Sequence, residues 1–302
     1  MPSRRAHILM AATVLFFVLS TVGMREGVEP FATWYYSFAW WSYILFLDAW
    51  LTRRNRPSLV LGNAEAPRLL GLSVVIWTIF ETYNLRLGNW YYLEIPSELL
   101  LRWTGYGVAY AAVLPGIFVT REMLASLAGP GLGARKALPR RLSGVLFWIG
   151  LTASLLPWIW PRYCFPLIWL GPTALFAAIN YRYLGGGLLK ELELHGPSKL
   201  YQLLGAGAIC GFLWELWNHW ARSKWMYNIP FFDRVPVFEM PLAGYLGFPP
   251  FAVECHEMYV TGKSLLSRLD QRGVRWVPRL LLAALVAAAF WGIDSLTVKS
   301  FQ

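Results

Sequence analysis

The chain has 302 residues, of which 57% are hydrophobic and only 15% are charged. This balance excludes an ordinary soluble domain and indicates a membrane protein. The net charge of +10 would suit a nucleic-acid partner if the basic residues formed one stripe, but they are spread over separate loops. We therefore expect no nucleic-acid partner.

Nine segments are apolar over about the 20 residues that a membrane-spanning helix needs. In chain order they cover residues 6–22, 31–51, 69–84, 101–120, 142–160, 164–183, 200–220, 241–262 and 276–296. Most of the 27 basic residues lie at the N-terminus and in the loops after the second, fourth, sixth and eighth segments. This positive-inside pattern predicts a multi-pass protein of the inner (cytoplasmic) membrane, with its N-terminus in the cytoplasm and its C-terminus outside.

The sequence repeats itself without gaps at an offset of 134 residues. Glu81 and Asn84 correspond to Glu215 and Asn218, and aromatic residues and an Ile-Pro pair follow both motifs. We predict an all-α fold of two parallel four-helix repeats and one C-terminal helix. The predicted divisions are a first repeat (1–127), a basic cytoplasmic linker (128–141), a second repeat (142–262), and a cytoplasmic loop with the ninth helix (263–302).

Carboxylates inside apolar segments are the first candidates for chemistry, because placing a charge in the hydrocarbon costs at least about 2.5–3.5 kcal/mol. Glu81 and Glu215 each share a helix face with an asparagine, Asn84 or Asn218. In one interpretation these pairs only join the two repeats. In the other, Glu215 is a neutral buried acid among tryptophans and donates a proton.

The eighth segment carries further acids. Glu239 stands at its entrance, Pro249-Pro250 interrupts it, and Glu254 and Glu257 follow on one helix face. A helix that is broken at membrane depth must be covered by neighbours or line a cavity. We therefore predict that this segment lines a cavity, with Glu254 or Glu257 as a second acid–base group.

No nucleotide-binding or metal-binding motif is present, and we predict no cofactor. His219 corresponds to a leucine in the first repeat, so it is a candidate for chemistry that belongs to the second repeat alone. The alternatives with a cofactor are a metal held by His219, His256, Glu215 and Glu254, or a haem between His219 and His256.

The 17 tryptophans are unevenly placed, since most fall in the outer half of the predicted spans. Tryptophan belts normally mark both interfaces of a membrane. The one-sided distribution therefore predicts an outward-facing aromatic cavity for a hydrophobic ligand, whose rings could also stabilise positive charge. The residues predicted to bind substrate are Trp90, Tyr91, Trp214, Trp217, Trp220, Trp225, Tyr227 and Glu239.

Three local patterns resemble a known family: Trp90-Tyr91-Tyr92, Trp225-Met226-Tyr227, and the acidic, proline-containing Glu239-Met240-Pro241. Together they resemble the integral-membrane enzymes of carotenoid biosynthesis, namely the heterodimer-type lycopene cyclases and the carotenoid hydratases. The Pro-x-Glu-Glu pattern of the cyclases, with its paired Phe, is absent from this chain. The resemblance implies a cofactor-free enzyme that protonates a polyene double bond and lets the cation cyclise or capture water.

We therefore predict a membrane enzyme that acts on a hydrophobic isoprenoid or lipid by carboxylate acid–base chemistry. The candidate catalytic residues are Glu215, Asn218, His219, Glu81, Asn84, Glu254 and Glu257. Two other classes use the same features. A transporter or ion-conducting protein would use the carboxylates as a relay, and a structural or haem-bearing subunit would use the tryptophan-rich face to bind a partner.

Overall fold

The computed structural model describes residues 2–128, 138–231 and 235–302, and it is predominantly helical. The predicted linker, 128–141, therefore lies largely outside the described residues. The helices are α1 (Pro2–Arg25), α2 (Phe31–Arg53), α3 (Ala66–Leu87), α4 (Leu99–Ala111), α5 (Val113–Leu127), α6 (Arg140–Ile159), α7 (Pro161–Cys164), α8 (Gly171–Ile179), α9 (Gly187–His195), α10 (Ser198–Trp220), α11 (Phe248–Gln271) and α12 (Trp276–Leu296). The all-α class is thus confirmed.

Every predicted span coincides with helical structure, but the helices differ in how apolar they are. Within the described ranges, the segments long and apolar enough to cross a membrane are Arg4–Arg25, Leu99–Leu127, Arg141–Ile159 and Trp276–Leu296. A fifth results if Pro161–Trp169 and Gly171–Leu184, which meet at a bend of 44°, form one broken span. These helices are compatible with a membrane protein.

The remaining long helices, α2, α3, α10 and α11, are less apolar because they carry buried polar side chains. Asp48, Glu81, Glu215 and Glu254 are all fully buried within them. In contrast, α1, α6 and α12 expose many of their apolar side chains. The polar helices therefore form the interior of the molecule, and the apolar ones lie around them.

The eighth span differs from its prediction. α11 begins at Phe248, so Pro249 and Pro250 lie in its first turn, where a missing N–H breaks no helical hydrogen bond. The preceding segment Leu242–Gly247 is a 3₁₀ helix, and α11 continues without a break to Gln271. The predicted proline break in the middle of this span is therefore wrong.

Two short strands, β1 (Trp90–Leu93) and β2 (Lys224–Tyr227), follow α3 and α10 and pair as an antiparallel ribbon. α3 ends at Gly88, whose φ of 64° is left-handed and whose N–H donates to the carbonyl of Asn84. The paired residues of the ribbon are Trp90 with Tyr227, Tyr91 with Met226, Tyr92 with Trp225, and Leu93 with Lys224. A second, smaller pair joins β3 (Pro236–Val237) and β4 (Met240–Pro241).

The tail that follows α12 lies beside β1. Tyr92 and Val298 form a parallel bridge. The hydroxyl of Thr33 donates to Gln302 Oε1 at 3.1 Å. The ribbon, the start of α2 and the end of α12 are therefore on the same side of the helices. We call this the ribbon side.

The helices contact one another in the same pattern in the two halves of the chain. α1 packs on α2 as α6 packs on α8, and α2 contacts α5 as α8 contacts α11. Across the halves, α10 packs against α5 and α11 packs against α3. The two Glu-x-x-Asn helices, α3 and α10, thus have corresponding neighbours.

Candidate active site

The two asparagines of the Glu-x-x-Asn motifs hold the ribbon in place. Asn84 donates from Nδ2 to the carbonyl of Trp90 at 2.8 Å and accepts from the N–H of Trp90 at 3.1 Å. Asn218 makes the same two hydrogen bonds with Trp225, at 2.8 and 3.0 Å. Both side chains are fully buried. Because their donor and acceptor groups bind backbone, these asparagines position the strands rather than face a ligand.

The ribbon presents four aromatic side chains on one face. Trp90 lies opposite Tyr227 and Tyr92 lies opposite Trp225, and residues two apart on a strand share a face. All four line one cavity. Tyr91, which lies between Trp90 and Tyr92, is on the other face and outside the lining that the described residues form.

The contacts also correct the correspondence between the two halves. Trp90 and Trp225 bind equivalent asparagines, and Tyr92 and Tyr227 bind equivalent glutamates. The two members of each pair are 135 residues apart, one more than the offset of 134 at which the sequence repeats. The loop after α10 is therefore one residue longer than the loop after α3, and this shift concealed Tyr92 as the counterpart of Tyr227.

A cavity of about 540 Å³ lies against the aromatic face of the ribbon, which is within the usual range for small-molecule sites. Its wall comes from α2, α3, α4, α10, the segment before α8, and the start of α11. Fourteen of the residues that line it are Trp, Tyr or Phe. The cavity is therefore suited to an apolar ligand with few polar groups.

Four of the residues predicted to bind substrate line this cavity: Trp90, Trp214, Trp225 and Tyr227. The other two tryptophans lie elsewhere. The ring of Trp217 packs edge-on against Trp40 in the core, with centroids 4.9 Å apart, and Trp220 is half exposed. The turn of α10 that carries Trp214 therefore faces the cavity, whereas its last turn packs elsewhere.

Glu81 lies behind the cavity wall and accepts hydrogen bonds from three residues. Trp77 Nε1 donates at 2.8 Å, Trp90 Nε1 at 3.2 Å and the Tyr92 hydroxyl at 2.5 Å. The Tyr92 hydroxyl also lies 3.3 Å from the Tyr110 hydroxyl. These three donors all line the cavity, so they separate the Glu81 carboxylate from any ligand.

Glu215 accepts fewer hydrogen bonds than Glu81 among the described residues. The Tyr227 hydroxyl donates to Glu215 Oε1 at 2.7 Å, while Trp225 Nε1 donates to the Tyr227 hydroxyl at 2.8 Å and not to the carboxylate. Oε2 of Glu215 is buried and has no hydrogen-bond partner among the described residues. A buried carboxylate oxygen without a partner costs free energy, which makes this atom a candidate for a proton or a ligand.

One position of the chain accounts for part of the difference between the two glutamates; the rest is that Trp90 donates to Glu81 whereas Trp225 donates to Tyr227. At the ungapped offset, Trp77 corresponds to Gly211. A Cβ at position 211 would lie 2.2 Å from the ring of Phe248, so Phe248 occupies the space beside this glycine. The second half therefore has no indole that corresponds to Trp77.

The two ribbon tyrosines keep their protons. Burial raises the pKa of Tyr227 well above its ordinary value, and the nearby Glu215 carboxylate raises it further. Burial and the Glu81 carboxylate act in the same direction on the pKa of Tyr92. Each tyrosine is therefore a neutral phenol that can donate a hydrogen bond or pass on a proton.

His219 and Glu239 form an ion-pair cluster beside the cavity. His219 Nδ1 lies 3.1 Å from Glu239 Oε1, and Lys224 Nζ donates to the same oxygen at 3.0 Å. His219 is thus in contact with Glu239 and not with Glu215, with which it was grouped as a possible metal ligand. The cluster connects α10 and β2 to the turn between β3 and β4.

The acids of α11 have different surroundings from Glu215. Glu257 accepts from Asn180 Nδ2 and from the N–H of Leu188, both at 2.6 Å, so it joins α11 to α9 and to the segment before α9. Glu254 is fully buried, and neither of its oxygens has a hydrogen-bond partner in the described part of the chain. Neither residue lines the cavity.

The histidines do not converge on one site. His256 packs against Phe118, with ring centroids 6.1 Å apart, while His219 binds Glu239 on the ribbon side. Over residues 2–128, 138–231 and 235–302, no group of three or more His, Cys, Asp or Glu side chains is arranged to hold a metal ion. The cofactor alternatives therefore have no assembled ligand set in the described structure.

Sequence reasoning missed a charged cluster at the cavity. Arg102 donates to both carboxylate oxygens of Asp294, at 2.9 and 3.0 Å, and Tyr106 and Trp103 donate to the same carboxylate at 3.0 and 2.9 Å. This cluster ties α12 to α4. The one available signal was that an arginine and an aspartate each lie inside an apolar segment, but nothing in their spacing indicated that the two segments touch.

Comparison with protein-family models, with curated proteins and with solved structures found no match for this chain. No related protein therefore contributes to the assignment of the fold or of the candidate site.

Proposed function

We propose that the protein is an integral membrane enzyme that acts on a hydrophobic isoprenoid or other lipid by acid–base chemistry in the aromatic cavity. One observation carries the proposal. Tyr227 is a phenol on the cavity wall, and it is hydrogen-bonded at 2.7 Å to the buried carboxyl group of Glu215, whose other oxygen has no partner among the described residues. A proton held there can reach the cavity through one hydroxyl.

The composition of the cavity supports a lipid substrate. A lipid that moves from the bilayer into this cavity exchanges one apolar environment for another, so the hydrophobic effect gives it little affinity. Selectivity must come from the aromatic walls. Aromatic faces attract positive charge, with contributions of about 0.5–2 kcal/mol per good contact, so the cavity favours a cationic intermediate over a neutral substrate.

The proposed chemistry begins with proton transfer to a carbon–carbon double bond. Tyr227 gives its proton to one carbon of the bond while Glu215 returns a proton to the phenol oxygen, so Glu215 is the net donor. The second carbon becomes a cation that faces the aromatic rings. The cation then cyclises or captures water, as the resemblance to carotenoid cyclases and hydratases implies.

The other residues of the motifs have supporting roles in this proposal. Asn218 and Asn84 fix the ribbon so that Tyr227 and Tyr92 face the cavity. We assign Glu254 and Glu257 to the packing of α11, because neither lines the cavity.

We further propose that the chain crosses the inner membrane nine times as two parallel repeats plus α12, with the ribbon side outside. The matching helix contacts and the doubled Glu–Asn–Trp–Tyr hydrogen bonds support the repeat. The concentration of basic residues in the loops away from the ribbon supports a cytoplasmic N-terminus. The tail beside β1 supports a C-terminus outside.

The test is turnover by purified protein in lipid nanodiscs, with farnesol, squalene and lycopene as acyclic probes. Wild type is expected to convert at least one probe, and the Glu215→Gln variant to lose conversion by about 10²–10⁴-fold. Trp220→Phe is the matched control on the same helix, because Trp220 is half exposed. If Glu215→Gln converts the probe as fast as wild type does, the proposed role of Glu215 is wrong.

A further inference from the structure

The cavity carries a second phenol–carboxylate pair, and the two pairs are not equivalent. Tyr92 is bonded to Glu81 as Tyr227 is bonded to Glu215. We propose that Tyr92 and Glu81 take the proton that the substrate cation loses, so that the enzyme adds one proton at Tyr227 and removes another at Tyr92. This inference rests on the proposed function and assigns it a reaction class.

The ribbon places both phenols within reach of one substrate. Tyr92 lies opposite Trp225, and Tyr227 is two residues further along the same strand. Diagonal neighbours of this kind on an antiparallel pair are about 7–8 Å apart. Both line the same cavity, so different carbons of one bound chain can face the two hydroxyls.

The hydrogen bonds assign opposite roles to the two carboxyl groups. Glu81 accepts from Trp77, Trp90 and Tyr92, and donors to the charged form favour that form. Within the described part of the chain, Glu215 accepts from Tyr227 alone, and its Oε2 has no partner. The donors around Glu81 therefore favour its ionised form, which can accept a proton. Glu215, with fewer donors, favours its protonated form, which can donate one.

The proposed sequence balances without any further reactant. A substrate double bond gains the Tyr227 proton, and Glu215 becomes a carboxylate when it restores that phenol. A C–H bond next to the cation then breaks, and its electron pair forms the new double bond. Its proton passes to the Tyr92 oxygen as the Tyr92 proton moves to Glu81, and solvent exchange later returns one proton from Glu81 to Glu215.

The reaction class follows from this balance. No water is consumed and no electron is transferred to an acceptor, so the product is an isomer of the substrate. Cyclisation and double-bond migration both satisfy this condition, whereas hydration does not. The second pair therefore selects isomerisation over water capture.

The test repeats the nanodisc assay in deuterated buffer with the same three probes, and mass spectrometry follows both product and recovered probe. The wild-type product is expected to have the elemental composition of the probe with one deuterium in place of a hydrogen. Glu81→Gln is expected to lower product formation at least about 100-fold, while the recovered probe still gains deuterium because protonation and its reversal continue at Tyr227. Glu215→Gln is expected to lose both product and label.

The deuterium in the recovered probe separates a proton-accepting role from a structural one, since a variant with a damaged cavity loses label and product together. Tyr92→Phe, which leaves both tryptophan donors on Glu81, is expected to behave as Glu81→Gln does. A product heavier by one water, or full turnover by both variants, contradicts this assignment alone. A wild type that neither converts nor labels any probe contradicts the proposed function, and the assignment fails with it.

Discussion

The two Glu-x-x-Asn motifs hold their asparagines in the same way and their glutamates differently. Asn84 and Asn218 each make the same two backbone hydrogen bonds to the following strand. Among the described residues, however, Glu81 has three donors, whereas Glu215 has one donor and an oxygen without a partner. The shared contacts hold the ribbon in place, and the contacts that differ leave one oxygen of Glu215 without a partner among the described residues.

Part of the difference originates in apolar packing, and part in the indole of Trp225, which donates to Tyr227 where Trp90 donates to Glu81. Trp77 supplies a donor to Glu81, while its counterpart Gly211 gives its space to Phe248. The two Glu-x-x-Asn motifs therefore differ in their donors partly because a large side chain at position 77 corresponds to a glycine at position 211. Four sets of variants test this comparison.

The largest effect is expected on activity at the second motif. Tyr227→Phe removes the hydroxyl that donates to Glu215 and that passes its proton on in the proposed mechanism, so turnover of the nanodisc probes should fall by about 10²–10⁴-fold. The fold should persist, because Tyr227 keeps its ring and its place in β2. Turnover equal to wild type would show that Glu215 has another route to the substrate.

The next effect is a difference in stability. Glu81→Ala leaves three donors without their acceptor, two of them buried, and should lower the free energy of unfolding by at least about 3 kcal/mol, since each orphaned group costs about 1–3 kcal/mol. Glu215→Ala orphans one donor and should cost about 1–3 kcal/mol. Thermal melting of both variants in the same detergent checks the order. A Glu215→Ala variant that melts below Glu81→Ala contradicts the donor count.

The asparagines provide the symmetric case. Asn84→Ala and Asn218→Ala each remove two hydrogen bonds to a strand and should each cost about 1–3 kcal/mol. Because the contacts match, the two melting temperatures should be similar. A large difference between them would mean that the ribbon depends on one half more than on the other.

The smallest effect is expected from Trp77→Phe, which removes one donor from Glu81 and keeps an aromatic ring. We expect a loss of about 1 kcal/mol in stability and a partial loss of probe conversion, because Glu81 then holds a carboxylate less well. Trp158→Phe, a peripheral aromatic substitution beside Tyr83, serves as the control. Conversion unchanged from wild type would argue that the third donor has no part in the chemistry.

The helices could be predicted from the sequence because their apolar runs are long and because turns rich in Gly, Pro and basic residues separate them. The Glu-x-x-Asn motifs could also be found, since the repeat displays them twice at one offset. Neither inference needed a contact between distant residues. The prediction about Pro249 and Pro250 failed because proline stops a helix from within but is accepted in a first turn, and the sequence did not show where α11 begins.

The details of the candidate site depend on contacts that the sequence does not encode locally. The pairing of Trp90 with Tyr227 joins loops far apart in the chain, and this register decides that Tyr92 faces the cavity while Tyr91 does not. The salt bridge between Arg102 and Asp294 likewise connects two separate apolar helices. His219 and Glu215 were grouped as possible metal ligands, but the partner of His219 is Glu239 from the β3–β4 turn, which no local pattern indicated.

The most direct test of the account is the identity of the lipid that occupies the aromatic cavity. Protein purified in a maltoside detergent should carry an isoprenoid-class lipid in near-stoichiometric amount, as measured by mass spectrometry of the extract. Ala109→Trp, which fills the cavity from α4, should lose this lipid while its ordinary phospholipid content stays the same. Equal amounts of the lipid in both proteins, or only bulk phospholipid in wild type, would contradict the account.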